Sequence, residues 1–470
     1  MSGEAGKRGS GAATAREVGA RLKAAESLNA TLHWSQDALD AEGKRVDAMT
    51  ATGTLSGMPI ALKDNIVTIE QPSTCASRIL EGYVSPFNAT VANRLRAAGA
   101  LIAAKANMDE FAMGSSTENS AFGRVKHPID PERVPGGSSG GSAALVAAGV
   151  VPAALGSETG GSVRQPASFC GVVGVKPSYG RVSRYGLVAF GSSLDCISVF
   201  GATVDDAAKV LHVISGHDPL EATSVAQPPM AMPASRTDLK GITIGLPREY
   251  FPPGLDAGVK AATDRAIARM KDLGASLKEV SLPHSKYAVP TYYIVNPAEA
   301  AANLARFDGV RYGPRHVEPK NGDVRALYQA TRGRGFGPEV RRRILVGTYV
   351  LSAGYYDAYY NKAQQLRALI TDDFRKAFAS GIDFLFTPTT PTTAFKAGEK
   401  SEDPVAMYLA DIFVCAVSLA GLPAMNVPIG RDQGLPVGGQ IIAPYFEESA
   451  MLSVAGAVEK SLDAKAEVRS

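Results

Sequence analysis

The segment Pro135–Ser142 reads Pro-Gly-Gly-Ser-Ser-Gly-Gly-Ser, and good helix-forming sequence follows it directly at Ala143–Val150. Composition alone would favour a flexible linker. However, a glycine-rich turn that opens a helix presents free backbone N–H groups to a ligand. A second such turn, Ser157–Ser162 (SETGGS), follows a short buried strand predicted at Val151–Leu155. Two glycine-serine turns around one helix and one strand predict a functional site rather than two linkers.

The rest of the chain repeats an order of helix, glycine and strand. In Asn88–Lys105 an apolar helical face is followed by Gly99 and a buried strand, and Lys260–Val280 repeats this order around Gly274. Further strands are predicted at Ile242–Leu246, Phe384–Thr387 and Gln440–Ile442. Helices that alternate with short apolar strands predict an α/β fold with a sheet covered on both faces. We expect a single domain over 1–470, with a frayed tail at 1–14 and a helical N-terminal segment at 15–50.

Composition excludes several classes of protein. The 470 residues are 45% hydrophobic and 20% charged, which argues against a disordered or fibrous chain. The net charge of +3 is too small for a protein that wraps nucleic acid. The four cysteines form no CxxC pair, and no apolar run approaches the length that spans a membrane. These features predict a cytoplasmic protein without a structural metal, with an organelle as the alternative compartment.

Two ways to activate a serine fit the glycine-serine block. Residues 136–140 satisfy the GxSxG pattern of serine esterases, but the strand that should precede Ser138 is missing and the histidine base is not evident. A neutral lysine is the other possible base. Lys63 ends the apolar, strand-like stretch Pro59–Leu62. Lowering a lysine pKa from about 10.4 to near 7 costs ~4.6 kcal/mol, which only a buried site can impose.

Three stretches together resemble the amidase signature family. They are Gly57–Asn65 (GMPIALKDN), Gly136–Ser142 (GGSSGGS) and Gly160–Pro166 (GGSVRQP). The resemblance implies a Ser–cis-Ser–Lys triad on a large central mixed sheet. In it Ser162 is the nucleophile, Ser138 relays the proton across a cis peptide bond and Lys63 is the base. The oxyanion would be held by backbone N–H groups of Thr159, Gly160, Gly161 and Ser162.

Four further stretches resemble the A subunits of the aminoacyl-tRNA amidotransferases. They are Asn107–Ser120, Lys176–Gly186, Gly216–Pro219 and Thr387–Thr393. This resemblance implies a glutaminase that converts glutamine to glutamate and ammonia. Arg342 is then expected to bind the α-carboxylate of glutamine, Asp411 its α-ammonium group, and Tyr293 to line the pocket, with Tyr292 as the alternative. Arg341 and Arg343 are interpreted as a solvated helical face.

The resemblance also implies partners. No motif for ATP or tRNA binding occurs in the chain, so ATP and Mg²⁺ are expected on a B subunit, with no cofactor in this chain. A small C subunit would join the two, and charged tRNA would be handled through the partner. The ammonia would convert Glu-tRNA(Gln) to Gln-tRNA(Gln), or Asp-tRNA(Asn) to Asn-tRNA(Asn). The sequence distinguishes neither these two substrates nor the residues of the ammonia channel.

Three alternatives stay open at this point. The first is a stand-alone amidase of the same family that acts on small amides and needs no pairing of Arg342 with Asp411. The second is a GxSxG esterase that uses Ser138 and a distant histidine. The third is a non-catalytic tRNA-binding subunit, which would show a steep salt dependence of binding that a charge of +3 does not predict.

Overall fold

One mixed β-sheet runs through the molecule. The computed structural model describes residues 10–50, 53–315 and 323–462, and within them eleven strands form a single sheet. The strands are β1 (Thr31–His33), β2 (Pro59–Lys63), β3 (Leu101–Ala106), β4 (Ala153–Glu158), β5 (Val173–Lys176), β6 (Cys196–Gly201), β7 (Thr243–Pro247), β8 (Ser276–Val280), β9 (Phe384–Pro388), β10 (Ala424–Asp432) and β11 (Leu435–Ile442). Their order across the sheet is β1-β3-β2-β4-β6-β5-β10-β11-β9-β7-β8. Strands β3, β2 and β4 are parallel, as are β9, β7 and β8, and the central pairs are antiparallel.

Helices cover both faces of this sheet, as the sequence predicted. Among the described residues they are α1 (Gly11–Ala24), α2 (Gln36–Asp47), α3 (Thr90–Ala97), α4 (Gly140–Ala147), α5 (Arg164–Cys170), α6 (Val204–Ile214), α7 (Ala257–Asp272), α8 (Ala288–Asn303), α9 (Val324–Gly335), α10 (Pro338–Val350), α11 (Lys362–Ala379), α12 (Pro404–Tyr408), α13 (Cys415–Leu419) and α14 (Glu448–Ser461). Side chains alternate across a strand. Ile60 and Leu62 of β2 therefore pack in one apolar core with α3, α6, α7 and α14, whereas Ala61 packs in a second core with α1, α2 and α4.

The predicted order of helix, glycine and strand is present. Helix α3 ends at Ala97, and Gly99 takes φ 89° before β3 begins. Helix α7 ends at Asp272, and Gly274 takes φ 99° before β8. A residue with a side chain is disfavoured at such φ values, so glycine stops the helix and turns the chain into the sheet.

The N-terminal segment begins earlier than the sequence predicted. Ser10 caps α1 by accepting the N–H of Ala13 at 3.2 Å, and the Asp47 carboxylate accepts the N–H of Ala12 at 3.0 Å. Residues 11–14 are therefore helical, and the tail predicted over 1–14 was too long. Residues 1–9 lie outside the described residues. The helical segment expected at 15–50 consists of α1 and α2 with β1 between them.

In two places the structure differs from what the local sequence predicts. The apolar stretch Met407–Leu419 predicts one helix, but the structure divides it into α12, a 3₁₀ turn at Leu409–Asp411, and α13. The helical spacing of the tyrosine pairs at 355–356 and 359–360 predicts core packing, but these residues lie mostly on the surface. Their rings pack on one another and on Tyr349. No helix among the described residues is long and apolar enough to cross a membrane. We propose that the chain is one domain, because all the described strands join one sheet.

Candidate active site

The carboxyl ends of β2 and β4 lie side by side and carry the first site residues. The two strands are parallel, so Lys63 at the end of β2 and Ser157 near the end of β4 reach the same edge of the sheet. The Lys63 Nζ lies 2.8 Å from the Ser138 Oγ and donates to the Ser157 carbonyl oxygen at 3.1 Å. The lysine is fully buried. The sheet thus brings together two residues that are 75 positions apart.

The turn that carries Ser138 contains a cis peptide bond between Gly137 and Ser138. The Gly137 N–H donates to Gln165 Oε1 at 3.0 Å, and the Ser138 carbonyl oxygen accepts the N–H of Asp109 at 3.1 Å. A Cβ on Gly137 would lie 2.2 Å from the Asp109 carboxylate, so only glycine fits there. The turn is therefore held by the Gln165 side chain on one side and by the Asp109 backbone on the other.

Ser162 lies at the end of the Thr159–Ser162 turn, between β4 and α5. Its carbonyl oxygen accepts the N–H of Ser139 at 3.2 Å, which joins this turn to the cis turn. The Ser162 side chain makes no hydrogen bond to another described residue, and the residue keeps 7% of its surface accessible. The structure therefore joins Ser162 to the cis turn through the backbone at Ser139, whereas among the described residues no hydrogen bond links the Ser162 hydroxyl to Ser138.

Backbone N–H groups of the Thr159–Ser162 turn are available to a ligand. None of the four donates to another described residue, although the turn is buried. Gly161 takes φ 137°, and a Cβ there would lie 2.2 Å from Val414. A Cβ on Gly160 would lie 2.7 Å from the Tyr292 ring. The two glycines thus allow close packing around a set of N–H groups that can stabilise an oxyanion.

A buried ion pair holds the Thr159–Ser162 turn in place. The Glu158 carboxylate accepts the N–H groups of Val163 and Arg164 at 3.1 Å each and the Arg164 Nε at 2.8 Å. The guanidinium also donates to the Val414 carbonyl oxygen and the Ser418 hydroxyl, both at 2.9 Å. Glu158 therefore fixes both ends of the turn, and its contact with Arg164 keeps its pKa below the usual range against the opposing effect of burial.

Burial changes the protonation of Lys63. Removal from water lowers the pKa of its ammonium group to about 7, against the opposing attraction of the Asp109, Asp195 and Glu158 carboxylates. A substantial fraction of Lys63 is therefore neutral near pH 7. A neutral amine beside a serine hydroxyl can act as a base.

Asp411 lies next to the Thr159–Ser162 turn. One of its carboxylate oxygens accepts the hydroxyl of Ser115, and the other is buried without a hydrogen bond in the described part of the chain. A Cβ on Gly161 would lie 3.3 Å from that second oxygen. Burial raises the pKa of Asp411 to about 7. An unpaired buried carboxylate oxygen beside the turn is suited to a cationic group of a substrate.

Arg342 and Arg343 have different environments. The Arg342 side chain is 48% exposed, donates to Glu339 at 2.6 Å and lines a cavity of about 160 Å³ together with Ser116, Lys400 and Tyr408. Arg343 is 3% exposed and donates to Glu339 at 2.8 Å. Its interpretation as a solvated residue was wrong, because α10 turns this position inward.

Aromatic rings surround the buried Arg343 guanidinium. It lies 5.2 Å from the ring centre of Tyr293 and 5.6 Å from that of Tyr408, and those two rings stack at 3.6 Å. Tyr292, the alternative to Tyr293, instead contacts the Thr159–Ser162 turn, with its hydroxyl 2.9 Å from the Thr159 Oγ1. The structure therefore places both tyrosines near the site, Tyr293 on the cavity side and Tyr292 on the turn side.

Several supporting residues were not predicted. Asn65 donates to the Ser157 hydroxyl at 2.9 Å, and Asp109 accepts the N–H of Thr117 at 2.9 Å. Both lie in stretches quoted for the family resemblance, which marks them without giving their role. Gln165 also lies in such a stretch, Gly160–Pro166, whereas Glu339 carries no comparable signal. Among the described residues, no group of three or more His, Cys, Asp or Glu side chains has the arrangement of a metal site.

Comparison with known proteins gives the class to which this site belongs. A model of the Amidase family matches residues 13–452, and the chain belongs to that family. It is 58% identical over 412 residues to the A subunit of glutamyl-tRNA(Gln) amidotransferase from Carboxydothermus hydrogenoformans, covering 87% of this chain and 84% of that protein. It is 56% identical to the protein of that name from Symbiobacterium thermophilum, covering 90% and 86%. The crystal structure of the corresponding A subunit from Thermotoga maritima superposes with a TM-score of 0.80 at 44% identity, covering 96% of this chain and 91% of that one. The predicted family and α/β fold are confirmed.

Proposed function

We propose that this chain is the glutamine-hydrolysing A subunit of a tRNA-dependent amidotransferase. The observation that carries the proposal is the juxtaposition of the buried Lys63 amine with Ser138 beside a turn of free N–H groups that ends at Ser162. Two relatives that are 58% and 56% identical to this chain over the aligned residues are named as the A subunit of glutamyl-tRNA(Gln) amidotransferase. Both lines of support point to amide hydrolysis with glutamine as the ammonia donor.

In the proposed reaction, Ser162 is the nucleophile. Neutral Lys63 takes the proton of Ser138 while Ser138 takes the proton of Ser162, whose Oγ attacks the side-chain carbonyl carbon of glutamine. The N–H groups of Thr159, Gly160, Gly161 and Ser162 stabilise the oxyanion, and losing one such donor typically costs about 10²–10³ in rate. The relay then returns the proton to the leaving nitrogen, and ammonia departs from an acyl-enzyme. Water hydrolyses the ester by the reverse relay and releases glutamate.

Selectivity for glutamine would come from two charged side chains. Asp411 binds the α-ammonium group through its unpaired oxygen, and Arg342, which lines the cavity of about 160 Å³, binds the α-carboxylate. Tyr293 lines the substrate pocket and is held by its stacking on Tyr408, another residue of the cavity wall. A small amide that lacks both charged groups has no use for this pair, which favours glutamine over the stand-alone amidase reaction.

The proposal includes partners that handle ATP and tRNA. A B subunit with ATP and Mg²⁺ would activate the charged tRNA, and a small C subunit would join it to this chain. The ammonia made at Ser162 would convert Glu-tRNA(Gln) or Asp-tRNA(Asn) to the amidated form. We place this activity in the cytoplasm, where the four buried free cysteines would stay reduced.

The test is a glutaminase assay of this chain with and without candidate B and C subunits. We expect ammonia release from glutamine in the assembled complex, its loss in Ser162→Ala, and a covalent adduct on Ser162 with a serine-reactive glutamine analogue, located by mass spectrometry. Hydrolysis of simple amides without hydrolysis of glutamine by the assembled complex would instead identify a stand-alone amidase. An adduct on Ser138 with activity retained in Ser162→Ala would favour the esterase alternative.

A further inference from the structure

A second cavity opens beside the edge strand β1 and shares no residue with the candidate active site. Its volume is about 470 Å³. Its wall is formed by the turn before β1, the strand itself, the start of α2 and the loop at Glu70–Pro72. The proposed glutaminase reaction uses none of these residues, so the cavity has no assigned role.

Two carboxylates and a carboxamide oxygen are among the polar groups that line this cavity, together with Asn29, Thr31 and Ser35. Glu26 and Glu70 supply carboxylates, and Glu26 makes no ion pair among the described residues. Glu70 is partly neutralised by Arg96 at 2.9 Å. The Gln71 side chain is 8% exposed, and its Oε1 is buried without a hydrogen bond in the described part of the chain. A carboxamide oxygen of this kind is costly to bury unless a donor reaches it.

His33 adds a further buried nitrogen without a partner. Its Nε2 makes no hydrogen bond within the described ranges. Burial lowers the pKa of His33, so the ring is neutral near pH 7 and contributes no positive charge to the cavity. The buried Lys105, which pairs with His33 across the strands, does not line the cavity, and its Nζ lies 3.4 Å from a carboxylate oxygen of Asp64. The cavity therefore presents negative charge and unmatched hydrogen-bonding capacity.

Trp34 supplies an aromatic surface in the same wall. The face of an indole ring attracts ammonium and guanidinium groups more strongly than other aromatic rings do. Carboxylates beside an indole are the combination that recognises organic cations, since the ring binds the alkyl part and the carboxylates neutralise the charge.

Strand β1 also has one edge that pairs with no described strand. Within the described part of the chain it pairs with β3 alone, and it is the first strand in the order of the sheet. An extended peptide can add to such an edge by backbone hydrogen bonds while alternate side chains enter neighbouring pockets. A basic side chain on such a peptide would reach the cavity beside Trp34.

We propose that this cavity binds an organic cation, an alkylammonium or guanidinium group, between Trp34 and the carboxylates of Glu26 and Glu70. The unpartnered Gln71 oxygen would accept one of its N–H groups. The cation could come from a free amine or from a lysine or arginine side chain of a peptide that lies along β1.

Trp34 is the only tryptophan of the chain, so its fluorescence reports directly on this cavity. The full chain is titrated with N-acetyl-lysine methylamide and, as the neutral control, with N-acetyl-norleucine methylamide. We expect a saturable change with the lysine compound and none with the norleucine compound. The double variant Glu26→Gln/Glu70→Gln should weaken binding about tenfold. The control Glu17→Gln/Glu81→Gln removes two exposed glutamates elsewhere and should leave binding unchanged.

A second titration, with a peptide, distinguishes the two possible sources of the cation. Acetyl-Val-Lys-Val-methylamide should bind more tightly than the single lysine compound if the open edge of β1 takes part, and equally if a free amine is the occupant. Calorimetry on Trp34→Leu tests the ring without the fluorescent reporter and should show weakened binding. Equal binding of the lysine and norleucine compounds, absence of binding, or unchanged affinity in the double variant would overturn the proposal.

Discussion

The Nζ of Lys63 lies 2.8 Å from the Oγ of Ser138, and water reaches neither side chain. In water a lysine would be charged at neutral pH and could not accept the hydroxyl proton. Here burial lowers the pKa of Lys63 to about 7. The contact therefore joins a potential base to a hydroxyl group at a pH where the base is partly neutral.

This relationship predicts how the glutaminase rate depends on pH. The neutral form of Lys63 increases as the pH rises through about 7. At saturating glutamine, kcat should rise about tenfold per pH unit below pH 6 and level off above pH 8. Saturation keeps Asp411 paired with the substrate, so its own titration does not contribute. A kcat that stays constant from pH 5.5 to 9, or that falls above pH 7, would exclude Lys63 as the base.

The same burial of Lys63 should lower the free energy of unfolding. Its pKa is about 7 in the folded chain and near 10.5 in the unfolded chain, so the unfolded chain binds the extra proton between these values. The stability of the wild-type protein should thus rise with pH across that window relative to Lys63→Met. The difference should change by up to about 1.4 kcal/mol per pH unit. Urea unfolding of both proteins at pH 7, 8.5 and 10 measures it, and a constant difference would contradict the buried, neutral amine.

The sequence indicates the proposed catalytic residues more clearly than the residues that support them. Lys63, Ser138 and Ser162 lie in short motifs whose residue types are unusual, so a single chain indicates them. Glu339 carries no such signal, because its contact with Tyr408 joins residues 69 positions apart on separate helices. Contacts of this kind depend on how α10 packs, which local periodicity does not determine.

Helix ends could be predicted from the sequence where a glycine or a capping side chain determines them. Thr203 followed by Asp205 and Asp206 predicts the start of a helix, and α6 begins after Thr203, whose Oγ1 accepts the N–H of Asp206 at 2.9 Å. The stretch around Asp411 was predicted less well. Its apolar residues favour a helix, but the chain is bent into a 3₁₀ turn at Leu409–Asp411. There one carboxylate oxygen of Asp411 accepts the hydroxyl of Ser115, while the other makes no hydrogen bond in the described part of the chain. This bend depends on tertiary contacts, which helix propensity does not describe.

Asp411 should determine the affinity for the α-ammonium group of glutamine. In Asp411→Asn the KM for glutamine should rise about 10- to 100-fold, because a charge-assisted contact is lost, while kcat changes little. The control substrate is 4-carbamoylbutanoate, which lacks the α-amino group, and its kcat/KM should be the same in both proteins. Because burial raises the pKa of Asp411 to about 7, the wild-type KM for glutamine should also rise as the pH falls below 7. Equal losses on both substrates would show that Asp411 has only a structural role.

The buried Glu158 should contribute more to stability than an exposed glutamate does. Glu158→Gln leaves the fully buried Arg164 guanidinium without its anion, which should destabilise the protein by about 3–5 kcal/mol. The matched control is Glu81→Gln, which breaks the exposed pair with Arg78 and should cost less than about 1 kcal/mol. Urea unfolding at pH 7 compares the two variants. Similar losses in both would mean that the hydrogen bonds from Arg164 to Gln440, Val414 and Ser418 are enough to hold the guanidinium.

Substitutions of the neighbouring residues Arg342 and Arg343 in α10 should have different effects. The first should weaken substrate binding, and the second should lower stability. Arg342 is half-exposed at the mouth of the cavity, so Arg342→Met should raise the KM for glutamine about tenfold or more and change the stability by less than about 1 kcal/mol. Arg343 is buried against Tyr293 and Tyr408 and paired with Glu339, so Arg343→Met should destabilise the protein by about 2–4 kcal/mol. Steady-state kinetics and urea unfolding of both variants measure the separation. If Arg343→Met alone raised KM at unchanged stability, the α-carboxylate would have to be assigned to Arg343 instead.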